Sequence, residues 1–367
     1  MKTDVKRKLQ KKWNSIDKTA MAIKLSLSIF FTTVFLIVFF TCGGTLYFSS
    51  IAYPDQFAGY DFQVHMLSVG QADCMLLRFP NDQTMMIDTG SNESVDDVIK
   101  YTKKFLKKEK LSQIDYLLLT HPDADHTGGA TEVLLNFQVN TVFRPKVLSQ
   151  RELAQNPDSG YAASETQTYN NAIDTAHDKG CTLVFSESGI SMNIGGCKIE
   201  FLSPEQDSFS DTNSYSAVVM ATYQTKKFLF TGDAPIAIES QLIEKYGEQL
   251  KADFLKVGHH GSATSTNEAF LDIVSPKYAA ISARENGDLP DVKVTNSLRN
   301  HGATIYSTAN GHFAATVAND DIIFTYAPQP KLDIAIVISV YIILILLTWG
   351  INPSRQKKKV RIEMIDE

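Results

Sequence analysis

The chain has 367 residues, 44% of them hydrophobic and 21% charged, which is enough for one large folded domain or two small ones. Four cysteines in that length exclude a disulfide scaffold, and no Cys-x-x-Cys pair points to a zinc knuckle. The formal net charge is −6, but residues 25–332 hold 22 Lys and Arg against 35 Asp and Glu, so this part is near −13. That sign argues against tight binding of a long polyanion, since nucleic-acid binders usually present basic stripes.

Residues 1–24 carry Lys2, Lys6, Arg7, Lys8, Lys11, Lys12, Lys18 and Lys24 against Asp4 and Asp17. No charged side chain follows until Asp55, and the segment 25–48 exceeds the ~20 residues a helix needs to cross a bilayer. A cleaved signal peptide is the competing reading, but its apolar core is typically only ~7–15 residues, so a retained signal anchor is expected. Cys42 lies in this segment and Cys74 in an expected strand, both as small hydrophobes. Cys181 and Cys197 fall in a turn-rich region and could pair in an oxidising compartment.

A domain is expected over 60–327. Residues 61–69, 74–79 and 84–87 read as strands, and 95–110 as an amphipathic helix whose Lys-rich face is solvated. The apolar run 114–119 reads as a buried strand, followed by Thr120-His121-Pro122-Asp123-Ala124-Asp125-His126-Thr127-Gly128-Gly129 and a helix from Ala130 to Phe137. Residues 144–180 are polar and turn-rich, becoming helical from Glu165 to Lys179, with His177 read as a surface histidine. Strands over 214–225 and 226–231 end at Gly232-Asp233; helices and strands alternate to Ile281, and the last strands occupy 304–326. Two strand-rich halves, each followed by helices, predict a four-layered α/β sandwich with helices outside two sheets.

The C-terminal end mirrors the beginning. Residues 334–350 form a second uncharged apolar stretch, and the tail 351–367 contains Arg355, Lys357, Lys358, Lys359 and Arg361. Basic tails beside two expected spans place both termini in the cytoplasm and the domain outside, with the bilayer as a partner. Two spans cannot by themselves form a multi-helix channel, so any such channel would be a separate membrane partner, which the sequence does not identify.

The loop 120–129 concentrates the chemistry. Four potential metal ligands, His121, Asp123, Asp125 and His126, fall within six residues at the end of a buried strand. Imidazole and carboxylate both coordinate divalent cations, and alternate residues on a tight loop can address adjacent centres, so the spacing suits two metals; one structural metal is the alternative. Gly128-Gly129 lets the chain turn closely into the next helix.

This segment resembles the His-x-His-x-Asp-His signature of the metallo-β-lactamase fold, with Asp123 in place of the second His. The His-Pro-Asp-Ala-Asp-His variant is similar to that of the extracytoplasmic domain of the ComEC competence protein family. Val69-Gly70-Gln71-Ala72-Asp73, Ile87-Asp88-Thr89-Gly90, Thr231-Gly232-Asp233 and Lys256-Val257-Gly258-His259-His260-Gly261-Ser262 agree with it in order.

The resemblance implies a metallo-β-lactamase-like αββα sandwich holding two divalent ions, zinc or manganese. One would take His121 and Asp123, the other Asp125, His126 and one of His259 and His260, with Asp233 bridging and Asp88 orienting ligands from behind. Asp125, Asp233 and Asn213 are the residues it implies in catalysis, Asn213-Ser214 standing where the wider superfamily carries a third ligand His. Ser68, Ala72 and Leu289 depart from the family pattern, the last replacing a His that could touch the substrate. The implied activity is metal-dependent phosphodiester hydrolysis of DNA. The alternatives are a cell-envelope phosphodiester of phosphocholine or teichoic-acid type, toward which the acidic domain leans, and a tethered module without turnover.

Overall fold

The computed structural model describes residues 2–41, 62–318, 320–326 and 334–350. It divides into two compact units, Ile51–Pro328 and the two chain ends, Met1–Ser50 with Gln329–Glu367.

In the larger unit, the strands that matter for the site are β3 (Thr84–Ile87), β4 (Ile114–Leu118), β5 (Val139–Arg144), β8 (Thr182–Phe185), β12 (Lys226–Phe230), β13 (Phe254–Lys256) and β14 (Tyr278–Ile281). With β1 (Gln63–Met66), β2 (Met75–Arg78), β16 (Phe313–Ala318) and β17 (Asp321–Tyr326), the first four of these make one sheet of order β17-β16-β1-β2-β3-β4-β5-β8. With β9 (Ser191–Ile194), β10 (Cys197–Phe201), β11 (Val219–Tyr223) and β15 (Thr304–Ser307), the last three make a second of order β15-β14-β13-β12-β11-β10-β9, and β6 (Val147–Leu148) pairs with β7 (Ala162–Ala163). Within each sheet, neighbours among the site strands run parallel. Parallel strands are covered on both faces, which is why 114–119 reads as an apolar run broken only by Asp115, whose Oδ2 accepts from Thr84 N (2.9 Å).

A core rich in aromatic residues, among them Phe62, Phe79, Phe201, Phe228, Phe230 and Phe254, fills the space between the sheets. A second core packs the outer face of the first sheet with residues of helices Val95–Glu109, Ala130–Asn136 and Gln167–Asp178. A third packs the other sheet with residues of Ile236–Tyr246, Glu268–Val274 and Val292–Asn300. Helix, sheet, sheet and helix are thus the four layers expected. Both sheets point the carboxyl ends of their parallel strands at one rim, and there the loops after β3, β4, β12 and β13 meet.

Two expectations change. Cys181 and Cys197 are unbonded. Cys181 Sγ donates to Val139 O (3.2 Å) on the outer side of the first sheet, whereas Cys197 belongs to the core between the sheets, so the strands themselves separate the two thiols. The strand expected over 214–225 is shortened to Val219–Tyr223, because Asn213–Tyr215 make a 3₁₀ turn that brings Asn213 to the rim.

In the smaller unit, the helix Lys2–Thr41 runs unbroken through the basic tail and into the apolar segment; the rest of the expected span, 42–48, lies outside the described residues. Its apolar side chains Ile29, Phe30, Ile37 and Phe40 are exposed. The helix Ile334–Gly350 pairs with it through a Phe35–Tyr341 ring stack (centroids 4.4 Å), a Thr32–Tyr341 hydroxyl contact (3.1 Å) and a bond from Trp349 Nε1 to Ser28 Oγ (3.1 Å). Among the described residues one helix, within Asp4–Phe40, is long and apolar enough to cross a membrane. The second span expected at 334–350 is not supported: its apolar part, Val337–Trp349, falls short of the ~20 residues that match a bilayer core. The tail 351–367 lies outside the described residues.

Candidate metal centre

The loop after β4 is shaped by backbone crowding. A Cβ on Gly128 would lie 2.4 Å from Asn92 N, and one on Gly129 would lie 2.4 Å from Thr89 O. Only glycine lets this loop lie against the segment after β3, and that contact carries Asp88 to His126.

Asp88 is fully buried. Its Oδ1 accepts from Thr120 N (2.8 Å), and its Oδ2 accepts from Thr120 Oγ1 (2.7 Å) and His126 Nδ1 (2.8 Å). Because the Thr120 hydroxyl donates to Asp88, it accepts from His121 Nδ1 at 3.1 Å. Both histidines therefore keep a proton on Nδ1, so Nε2 is the nitrogen each can turn to a cation once any proton there has left. This is the arrangement by which a carboxylate behind an imidazole prepares it for a cation. His121 Nε2 is buried without a hydrogen-bond partner among the described residues; Asp123 Oδ2 is 3.6 Å away.

His126 Nε2 faces Asp233 Oδ2 (3.3 Å) and Asp125 Oδ2 (4.0 Å). His260 Nε2 lies 3.2 Å from Asp125 Oδ2 and 3.5 Å from Asp233 Oδ2. One ligand atom from each of Asp125, His126, Asp233 and His260 falls within 4.8 Å of every other, a cluster that could hold a metal ion. His121 and Asp123 stand beside it, the His121 and His126 rings 4.1 Å apart. Asn213 adds a buried Oδ1 with no partner among the described residues.

The adjacent histidines separate. His260 is buried, whereas His259 lies at the edge, 29% exposed at its side chain, with Nε2 3.8 Å from Asp233 Oδ2 and Nδ1 3.0 Å from Thr264 Oγ1. Both adopt left-handed backbone (φ 49° and 54°), unfavourable for residues with a Cβ. Asp291 N bonds Gly261 O (2.9 Å), Gly258 N donates to Thr266 Oγ1 (3.1 Å), and buried Glu239 accepts from Thr266 N and Asn267 N. Leu289, where the family carries a His, sits half-buried beside Pro290, which abuts Gly261.

Two residues of the quoted motifs carried no assigned role in the sequence. Asp73 is fully buried, its Oδ2 paired with Lys256 Nζ and its Oδ1 3.6 Å from His260 Nδ1. Lys256, the last residue of β13 and also fully buried, lies 3.6 Å from Asp233 Oδ1 and donates to Gly232 O (3.1 Å). Its ammonium therefore occupies one oxygen of Asp233 and leaves Oδ2 for the histidines. A lysine closing an apolar strand was the available signal. His177 is a surface histidine as expected, its side chain 45% exposed, and its Nε2 bonds Glu152 Oε1 (2.8 Å).

The electrostatics are those of a site filled by protons until a cation replaces them. Burial disfavours a charged His126, yet Asp233 and Asp88 outweigh it and hold its pKa well above the usual imidazole value. Burial likewise opposes ionised Asp233, but His126, His260 and Lys256 keep it well below the carboxylate range. Asp125, again against burial, is drawn down to about 2 by His260 and His126.

The sandwich has a His- and Asp-lined rim, and residues 67–150 match the metallo-beta-lactamase superfamily family model. The chain is 29% identical over 269 residues to "ComE operon protein 3" of Bacillus subtilis (strain 168), covering 67% of this chain and 32% of that protein. It is 28% identical over 257 residues to "Competence protein ComA" of Neisseria gonorrhoeae, covering 70% and 32% respectively. The third relative, "Recombination protein 2" of Haemophilus influenzae (strain ATCC 51907 / DSM 11121 / KW20 / Rd), is 28% identical over 251 residues, covering 68% and 28%. The similarity is thus to ComEC-type competence proteins, and the chain spans about a third of the length of these curated relatives.

Proposed function

We propose that the chain is a membrane-anchored, metal-dependent phosphodiesterase whose substrate class is DNA, as the names of its competence and recombination relatives suggest. The observation that carries the reading is the convergence of Asp125, His126, Asp233 and His260 beside the bare Nε2 of His121. In this proposal His121 and Asp123 would hold one divalent ion and Asp125, His126 and His260 a second, with Asp233 as a ligand available to both and His259 at the edge. An oxygen ligand at 123 in place of imidazole makes manganese as suitable as zinc. When bound, such ions draw charge from a phosphoryl oxygen and acidify water. The protein's own part is to orient: Asp88 and Thr120 aim the two histidines, Lys256 fixes which oxygen Asp233 presents, and Asn213 offers its carboxamide to the substrate.

A cell-envelope phosphodiester is the second reading, favoured by the −13 charge of residues 25–332. In either case the helix Lys2–Thr41 supplies the anchor, its basic start stays in the cytoplasm and the domain faces outward, beside whatever membrane partner transports the substrate. Bound metal, together with turnover of a chromogenic phosphodiester, of single- and double-stranded DNA and of teichoic acid, tests the reading. Metal bound without turnover of any of these would leave a tethered module in its place. Cleavage of the domain by protease added outside intact cells tests the topology.

A further inference from the structure

A cavity of about 740 Å³ opens at the carboxyl ends of β5 and β8. Its floor is a closed charge network. Arg144, 5% exposed, donates from Nη1 and Nη2 to Glu152 (3.0 and 2.6 Å) and from Nη1 to Val147 O (2.7 Å). Glu152 also accepts from Ser149 N (2.8 Å) and pairs with His177. The charges there neutralise one another, and Asp158 at the rim adds a negative one, so the cavity offers nothing to a phosphate. Its wall is a ladder of flat groups: the Arg144 guanidinium lies 4.4 Å from the Phe185 ring centre, and the Phe185 and Tyr161 rings are 5.0 Å apart. The carboxamides of Gln155 and Asn156, each a donor and an acceptor, complete the lining.

Position ties this cavity to the metal-ligand rim. Leu118 of β4 pairs with Phe143 of β5, and Arg144 with Phe185 of β8. Strands lie about 5 Å apart, so the near wall of the cavity, Arg144 and Phe185, lies one to two strand widths, roughly 5–10 Å, from the strand that leads into the His121–His126 loop, and His177 on its far side stands about 14 Å along its helix from Thr168. Thr127 Oγ1, in that loop, meets Thr168 Oγ1 (2.8 Å) at the start of the helix that ends at Asp178 and carries His177.

We propose that this cavity is a base subsite: it takes one nucleobase of a single-stranded polynucleotide, stacked against Tyr161 and Phe185 and bonded along its edge by Gln155 and Asn156, while a neighbouring phosphate lies at the metal-ligand rim. The inference rests on the phosphodiesterase reading and deepens it. Aromatic stacking of a flat ring beside amide groups, without cations free to pair with phosphate, is how single-stranded bases are held. Glu152 is engaged by Arg144, Ser149 and His177, and both Nη groups of Arg144 are engaged by Glu152 and Val147; only the buried Nε of Arg144 lacks a hydrogen-bond partner among the described residues.

The test uses the full chain in detergent micelles, stripped of metal by chelator so that nothing is cleaved. Fluorescence anisotropy compares an eight-residue thymidine oligonucleotide with an abasic strand carrying the same phosphates. The expected result is a roughly tenfold preference for the strand with bases, lost in Tyr161→Ala and reduced in Asn156→Ala, a rim substitution that leaves the ladder intact. Equal affinity for the two strands, an unaltered preference in both variants, or binding of phosphocholine in place of the oligonucleotide overturns the subsite. Turnover of the chromogenic ester by metal-loaded wild-type protein is scored separately. Turnover without base preference leaves the enzyme reading standing and removes the subsite; base preference without turnover does the reverse.

Discussion

Replacing Lys256 by Met tests whether its pair with Asp73 holds the floor of the site. Both side chains are fully buried, and Lys256 Nζ is also 3.6 Å from Asp233 Oδ1. At an effective dielectric constant near 20, unit charges at that separation attract by about 4–5 kcal/mol, and Asp73 is nearer still. Removing the ammonium relieves its own desolvation but strands two buried carboxylates among others, and breaking one side of such a pair costs about 3–5 kcal/mol. For a domain of this size that corresponds to a fall in melting temperature of roughly 6–20 °C. The double variant Lys256→Met/Asp73→Asn removes both charges, and we expect it to recover about 2 kcal/mol relative to the sum of the single changes. Calorimetry in excess chelator measures this without contribution from bound metal. If Lys256→Met melts within a degree of wild type, or the double variant merely adds the two single losses, the pair does not organise the site.

Asp233→Ala removes the carboxylate available to both proposed ions; bound metal and phosphodiesterase rate should both fall, the rate by roughly a hundredfold or more, while circular dichroism stays that of a folded domain. His260→Ala should lose more bound metal than His259→Ala, because His260 is buried against Asp125 whereas His259 lies at the edge; equal losses would return both histidines to equal standing. The raised pKa of His126 means its proton stabilises the metal-free fold fully below about 6.5 and is lost as pH rises through the higher folded value. Melting in chelator should therefore decline on going alkaline, and added manganese or zinc should flatten that decline while binding more tightly at higher pH.

The residues that touch the rim were legible in sequence because the ligand types cluster within one loop and the loop ends a buried strand. His121 to His126, Asp88, Asp233 and the His259-His260 pair all reach the same rim as a consequence of parallel strands delivering their carboxyl ends to one side. The choice between His259 and His260 was not legible, since it depends on a left-handed loop that neither side chain's chemistry specifies. Lys256 and Asp73 stayed hidden for a related reason: a buried charge reads as an anomaly in one strand until the partner, 183 positions away in the chain, is seen across the interface. The cavity was not legible because it is built from Arg144, Glu152, Tyr161, His177 and Phe185, which lie in five separate stretches and form no motif.

The acidic charge of the domain and a polyanionic substrate are compatible only if affinity does not come from phosphate neutralisation. Five of the excess carboxylates, Asp73, Asp88, Asp123, Asp125 and Asp233, converge at the rim with four imidazoles and one ammonium, so the net count overstates the repulsion a strand meets there. The cavity presents flat rings and amides with its cation already paired. Binding of single strands by such a surface should release few counterions. An eight-residue strand with all its phosphates neutralised would weaken with salt at a log–log slope near −5, at about 0.7 per phosphate. We expect a slope between about −1 and −2 for the metal-free chain. A slope near −5 would mean that a basic track elsewhere carries the strand, the Lys-rich face of the helix Val95–Glu109 being the place to look, and stacking would then be a minor part of the affinity.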